Sequence, residues 1–263
     1  MKKLIYPVII LLIALLIFIN YYAYKSPKIN KIITQSKLYT ILNEQNLLVN
    51  FYTNHQSPYL EYSAVESVYL EDNQNNRWLI NLLNISKENS YDYLKEKFDN
   101  YLLTFSLPKL TTNVSMEEAY IKINLKNGDS KTFLIGSLNY YYQEETNLII
   151  NEYYATKKEH SLEVETISLK LELKEPIKIV NIFVGNYQHY YDYYVDSNET
   201  ILIAIPPLFK IVDSFSLKII YEINDIEHIE ILPFFIFFEN YENPLSYGSL
   251  NNVYVISWSY QFK

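Results

Sequence analysis

Histidines, acids and tyrosines are the side chains with chemistry to offer here, because the sequence holds no cysteine and so no thiolate nucleophile, thiolate metal site or disulfide. His55, His160, His189 and His228 lie far apart, and none belongs to an HExxH or HxH arrangement, so neither a metal centre nor a general base is spelled out. Asp196, Asn198 and Thr200 alternate oxygen donors as a calcium loop begins. The sixth position lacks glycine, however, and the twelfth is Pro207 or Leu208 instead of glutamate, so the segment reads as a solvated turn. Glu117-Glu118 and Glu144-Glu145 are neighbours in sequence, which on a strand sends them to opposite faces and does not pair them for catalysis. Neither a GxSxG elbow nor a phosphate loop occurs. The expectation is a protein without an assignable catalytic residue, cofactor or metal.

The segment with most to offer a ligand or partner is Tyr187, Gln188, His189, Tyr190, Tyr191, Asp192, Tyr193 and Tyr194. Exposed rings beside an acid and an amide can stack on sugar faces or fill a protein interface, and Tyr140–Tyr142 and Tyr153-Tyr154 could extend the platform. Composition argues the other way. Tyr numbers 28, Gly only 4, and Arg77 is the sole arginine, a profile that A/T-rich codons produce and that suits a low-GC bacterium. Tyrosines spread by such a bias settle readily on strands.

Stepping outward from these residues, the first element is an anchor. An apolar run starts at Leu4 and, with tyrosines at its end, stops at Tyr24 (residues 4–24). As an α-helix it is about 31 Å long, enough for a bilayer core. Lys2 and Lys3 precede it and Tyr21, Tyr22 and Tyr24 follow, which puts the N-terminus in the cytoplasm and the rest outside. Bulky Tyr21 at the −3 position of a cut after Ala23 speaks against a cleaved signal peptide.

The 238 residues after Lys25 alternate apolar and polar side chains over many short stretches, the pattern of strands. The expected fold class is all-β in the main: an N-terminal transmembrane helix, then two antiparallel β-sandwich domains of immunoglobulin-like pattern with one short helix. Residues 1–25 form the cytoplasmic tip and anchor, 26–36 a stalk, 37–155 the first sandwich and 160–263 the second. The helix falls over 90–100, where Tyr91, Leu94, Phe98 and Tyr101 recur at helical spacing. Residues 119–136 read as a hairpin closed by a type I′ turn at Asn127-Gly128, and Asn224-Asp225 marks another. A phase slip near Glu165 or Thr166 predicts a β-bulge, and Phe234–Phe238 reads as a buried strand.

The formal net charge is −8 although the first 25 residues hold three lysines and no acid, so the exterior part is strongly acidic. Nucleic acid and other polyanions are therefore not expected as partners. The functional expectation is a single-pass, membrane-anchored, extracytoplasmic and non-enzymatic protein that makes protein contacts in the cell envelope, with the lipid bilayer and an envelope protein as partners. The alternatives are a carbohydrate- or wall-binding module that uses the tyrosine-rich strand to take a glycan, and a hydrolase with a site assembled from distant acids.

Overall fold

The structure is a computed structural model that describes residues 11–16, 28–74, 76–144, 147–157, 164–185, 187–204, 215–235, 245 and 251–259. Of the expected anchor only residues 11–16 fall within this set; they are helical and exposed, and the remainder lies outside the described residues. No helix among the described residues is long and apolar enough to cross a membrane.

After residue 27 the alternation of the sequence becomes strand. The first unit contains β1 (Lys28–Gln35), β2 (Lys37–Leu42), β3 (Leu47–Thr53), β4 (Val65–Asp72), β5 (Arg77–Tyr93), β6 (Glu96–Ser106), β7 (Val114–Leu125) and β8 (Ser130–Tyr141). The second contains β9 (Leu148–Lys157), β10 (Val164–Leu173), β11 (Ile177–Val184), β12 (Tyr187–Val195), β13 (Thr200–Ala204), β14 (Phe215–Ile223) and β15 (Ile226–Phe235). The last strand, β16 (Asn251–Ser259), returns to the first unit and pairs antiparallel with β1, Lys28 opposite Ser259.

The first sheet runs β16-β1-β3-β6-β5-β4-β7-β8-β2. Its 17-residue β5 pairs with β4 through residues 77–80 and with β6 through residues 81–93, so the sheet folds over on itself at this strand. One layer holds β1, β3, β6 and the second half of β5, and the other holds β4, β7 and β8, the strand order of an immunoglobulin-like sandwich. Their inner faces meet in a core of Phe51, Leu103, Phe105, Ile121, Phe133 and Leu138, with Phe51 and Phe133 edge to face at 5.1 Å. One pair departs from the antiparallel expectation: β2 runs parallel to β8, Lys37 level with Gly136. The chain changes layer between β1 and β2, and this brings the Lys37 backbone so close that a Cβ at Gly136 would overlap its carbonyl. Gly136 also has φ +119°, which side chains disfavour.

The second unit packs β13-β10-β9 against β12-β11-β14-β15 around Ile167, Leu169, Ile179, Ile182, Ile219 and Tyr221. The expected bulge is present, with a register shift between Val164 and Thr166. β2 lies across β14 and β15 and joins the units: Ser216 Oγ donates to Thr40 Oγ1 at 2.9 Å, Gln45 Nε2 to the Ile231 carbonyl at 2.9 Å, and the Ile229 amide to Gln143 Oε1 at 2.6 Å.

Several expectations are corrected. No helix occupies 90–100; β5 and β6 form a hairpin closed by Leu94-Lys95, whose φ values are 49° and 65°. Tyr91 and Phe98 are cross-strand partners on either side of that turn, and this fold-back mimics a helical interval of seven. The stretch expected as a stalk supplies β1, because its adjacent isoleucines, Ile32 and Ile33, are buried on the two faces of the sheet. β9 already belongs to the second core, and β16 to the first sheet. At Asn127-Gly128 only Gly128 has positive φ, and Gly128 N bonds to Leu125 O while Leu125 N bonds to Asp129 O. That is a type I turn followed by a glycine bulge, in place of the type I′ turn. Asn224-Asp225 does take positive φ at both residues, 49° and 64°. Of Phe234–Phe238, β15 includes the first two, and the others lie outside the described residues.

Candidate functional site

The tyrosine-rich segment is β12, an edge strand that pairs with β11 on one side; among the described residues no strand pairs with the other. Opposite the single Val180 stand two of its residues, Tyr191 and Asp192, which makes a bulge. Odd- and even-numbered side chains of the segment fall on opposite sides of the strand. Tyr187, His189 and Tyr191 form a run of neighbouring rings, with centroids 6.2 Å and then 4.8 Å apart. Tyr191 packs on the core and its hydroxyl donates to the Leu202 carbonyl on β13 at 3.3 Å, closing the side of the sandwich. Burial lifts its phenol above the ordinary range.

Tyr190, Asp192 and Tyr194 turn outward. Tyr190 is 77% and Tyr194 75% exposed, with Tyr193 at the rim at 47%. Between them Asp192 Oδ1 accepts from Lys178 Nζ at 3.0 Å, and the same ammonium lies 5.9 Å from the Tyr194 ring. The hydrogen bond to Asp192 raises the Lys178 pKa. Gln188 is spent on Asn181, its Nε2 donating to Oδ1 at 3.1 Å. The outer surface thus offers two rings flanking an ion pair, and Lys178, a member of it, comes from a different strand that the sequence did not single out.

The other tyrosine clusters do not join it. Tyr140 is buried in the first core and bonds to the Leu110 carbonyl at 3.2 Å. Tyr141 sits at the joint, where Lys218 Nζ donates to its hydroxyl at 3.1 Å and lies 4.2 Å from the Phe183 ring. Tyr153 and Tyr154 are on β9, at the opposite edge of the facing sheet from β13. The histidines have structural surroundings: His55 Nδ1 is 3.0 Å from Thr53 Oγ1, His228 stacks on Tyr221 at 5.5 Å, and His160 lies outside the described residues.

Among the described residues no group of three or more histidines or acids could hold a metal ion. A shallow cleft of about 280 Å³ opens at the joint, lined by Asn43, Glu44, Lys109, Tyr142, Gln143 and Glu144 among others. Its two carboxylates are exposed, and Glu44 stands 3.6 Å from Lys109. Among the described residues the carboxyl with a strongly altered environment is Glu230, which burial pushes up to about 7. It faces the interior of the second sandwich and has no opening to a substrate in this cleft's lining.

No protein-family model matches the sequence, and no curated protein matches it. Solved structures that resemble it include the D00-D0 domain of intimin, with 8% identity over 79% of this chain and 100% of that one and a TM-score of 0.19. A complex of the CsuC chaperone with the CsuE tip adhesion subunit of Acinetobacter baumannii Csu pili shows 10% identity, 76% and 96% coverage and a TM-score of 0.23. The titin domains z1z2 in complex with telethonin show 10%, 77% and 93%, and 0.22. With such TM-scores the chain paths do not superimpose, and the resemblance stops at β-rich architecture.

Proposed function

We propose that this chain is a membrane-anchored, extracytoplasmic, non-enzymatic protein of the cell envelope, held by residues 4–24, and that the open edge and outer surface of β12 receive a protein partner. The observation that carries the reading is the set of exposed rings on the open edge β12. Among the described edge strands β13 is only five residues long, β15 has edge groups taken by Gln45 and Gln143, and β2 lies under the second unit, while β9 exposes Tyr153 and Tyr154 and β16 exposes Val253 and Val255. β12 is nine residues long, contains neither proline nor lysine, and carries Tyr190, Tyr193 and Tyr194 exposed. Natural sheets usually blunt such an edge; β12 carries only its bulge and Asp192 for that purpose, and an open edge accepts an added strand, with aromatic side chains supplying the contact area. The bulge at Tyr191-Asp192 limits an added strand to the residues on either side of it.

A photo-crosslinking residue in place of Tyr190, in protein expressed in its native membranes, is expected to capture a reproducible protein band. Tyr190→Ala with Tyr194→Ala is expected to reduce recovery of that partner while changing stability by less than about 0.5 kcal/mol, as exposed positions do. Tyr191 is unsuitable for this test because it closes the sandwich. Absence of a reproducible crosslink would remove the reading.

A glycan reading is favoured by one specific feature, the pair of exposed rings with Asp192 and Lys178 between them. It predicts retention on peptidoglycan that the same double substitution abolishes; equal retention by parent and variant would dismiss it.

A further inference from the structure

The end of the first sandwich at which the chain enters has a feature that neither the fold nor the β12 surface uses. Three residues separate Tyr24 from β1. Even fully extended, the four steps from Tyr24 to Lys28 cover about 14 Å. On the reading of residues 4–24 as the anchor, on which this inference rests, that end of the sheet stands at the headgroup layer.

The β5–β6 hairpin reaches the same level. Thr53 of β3 is paired on one side with Ile32 of β1 and on the other with Asp99 of β6. Three residues further toward the entry end lie Ile29 and Glu96, and Asn54 ties them together. Its Nδ2 donates to the Ile29 carbonyl at 2.8 Å and to Glu96 Oε2 at 2.6 Å, while Lys31 Nζ meets Glu96 Oε1 at 2.8 Å. Immediately beyond Glu96 come Lys95 and Leu94, the turn itself.

Leu94 is the wrong residue for a turn in water. Two-residue turns with positive φ at both positions favour Asn, Asp and Gly, which is what Asn224-Asp225 supplies to the β14–β15 hairpin with nearly the same angles. A leucine held in the left-handed region is disfavoured. Its side chain is also 78% exposed, more than any other large apolar residue described. Lys95 follows it, and Tyr93 precedes it with its ring 6.2 Å from Phe98. An apolar tip between a tyrosine and a lysine suits the boundary between acyl chains and headgroups, where the leucine is buried and the ammonium reaches phosphate.

We propose that the Leu94-Lys95 tip docks into the outer interface of the bilayer, giving the first sandwich a second membrane contact beside its anchor. The sandwich is then held in one orientation on the lipid surface. The chain has no cysteine, so single labels can be placed without background. Nitroxides are placed at Lys95→Cys, at Gln74→Cys in the turn at the other end of β5, and at Ile13→Cys in the anchor. Each is carried by the full chain reconstituted in vesicles of phosphatidylcholine and phosphatidylglycerol.

Relaxation by oxygen, which concentrates in lipid, is expected to dominate at 95 and 13, and relaxation by an aqueous nickel chelate at 74. Leu94→Asn is the discriminating variant, since it fits the turn better. It is expected to hold or raise the melting temperature while the oxygen preference at 95 falls several-fold. A label at 95 that is as nickel-accessible as that at 74, or that Leu94→Asn leaves unmoved, overturns the proposal when 13 reports lipid. If 13 itself reports water, the anchor reading fails and takes this inference with it.

Discussion

At Glu230 the edge strand β15 turns a carboxyl to the inner face of its sheet, directly opposite buried Ile219 and two residues from His228, which stacks on Tyr221. Its Oε2 has no hydrogen-bond partner, and burial raises its pKa from 4.5 to about 7, offset in part by the Ile231 backbone. The raised value means that the folded state prefers the protonated form. Stability from this group is therefore complete below about pH 4.5 and declines as pH rises to about 7, by at most about 3 kcal/mol. Glu230→Gln keeps the shape without the charge, so it should match the parent in urea unfolding near pH 4.5 and exceed it at pH 8. Individual roles of this kind were poorly legible in the sequence. Glu230 sits in an ordinary alternating strand, and nothing local says which face meets a core. Likewise the eight residues of the tyrosine segment read as one platform, whereas the alternation of β12 against the core assigns Tyr191 to packing and Tyr190 and Tyr194 to the outside.

Strands were far more legible than their partners. Period-two alternation places the 119–136 hairpin within β7 and β8, and its slip near Glu165 or Thr166 falls where the register of β10 shifts. It fails over 90–100 because Leu94-Lys95 lacks the Asn or Gly that announces a two-residue turn. It is also silent on β16, whose alternating Tyr254 and Ile256 fit either core equally well. The choice is made by long-range contacts. Tyr254 packs its ring 5.0 Å from Phe133, and its hydroxyl accepts from the Leu134 amide at 2.6 Å, linking the last strand to the facing layer. Tyr254→Phe leaves that amide unsatisfied and should cost about 1–2 kcal/mol, measured as a lowered urea midpoint with unchanged slope. Little or no change would mean that water replaces the hydroxyl.

For the molecule as a whole, the joint between the sandwiches is polar and specific. Gln45 and Gln143 occupy the carbonyl of Ile231 and the amide of Ile229, which would otherwise be open groups on the β15 edge. Gln143 is itself positioned by its amide, which donates to Asn43 Oδ1 at 2.9 Å. Replacing both glutamines by alanine should uncouple the units, so that calorimetry resolves two unfolding transitions where the parent shows one. Two transitions in the parent already would show that the joint does not couple them. The sequence suggested two sandwiches but not their nesting, because β16 carries no mark of the sheet to which it returns. That return has a consequence for biogenesis. The second sandwich is spliced into the first, and the contact between Lys28 and Ser259 is among the most distant that a chain of 263 residues can make. A ribosome must deliver everything through β16 before β1 acquires its last neighbour. Nascent chains interrupted before β16 is complete would emerge with an unfinished edge at β1, open to capture by quality-control proteases.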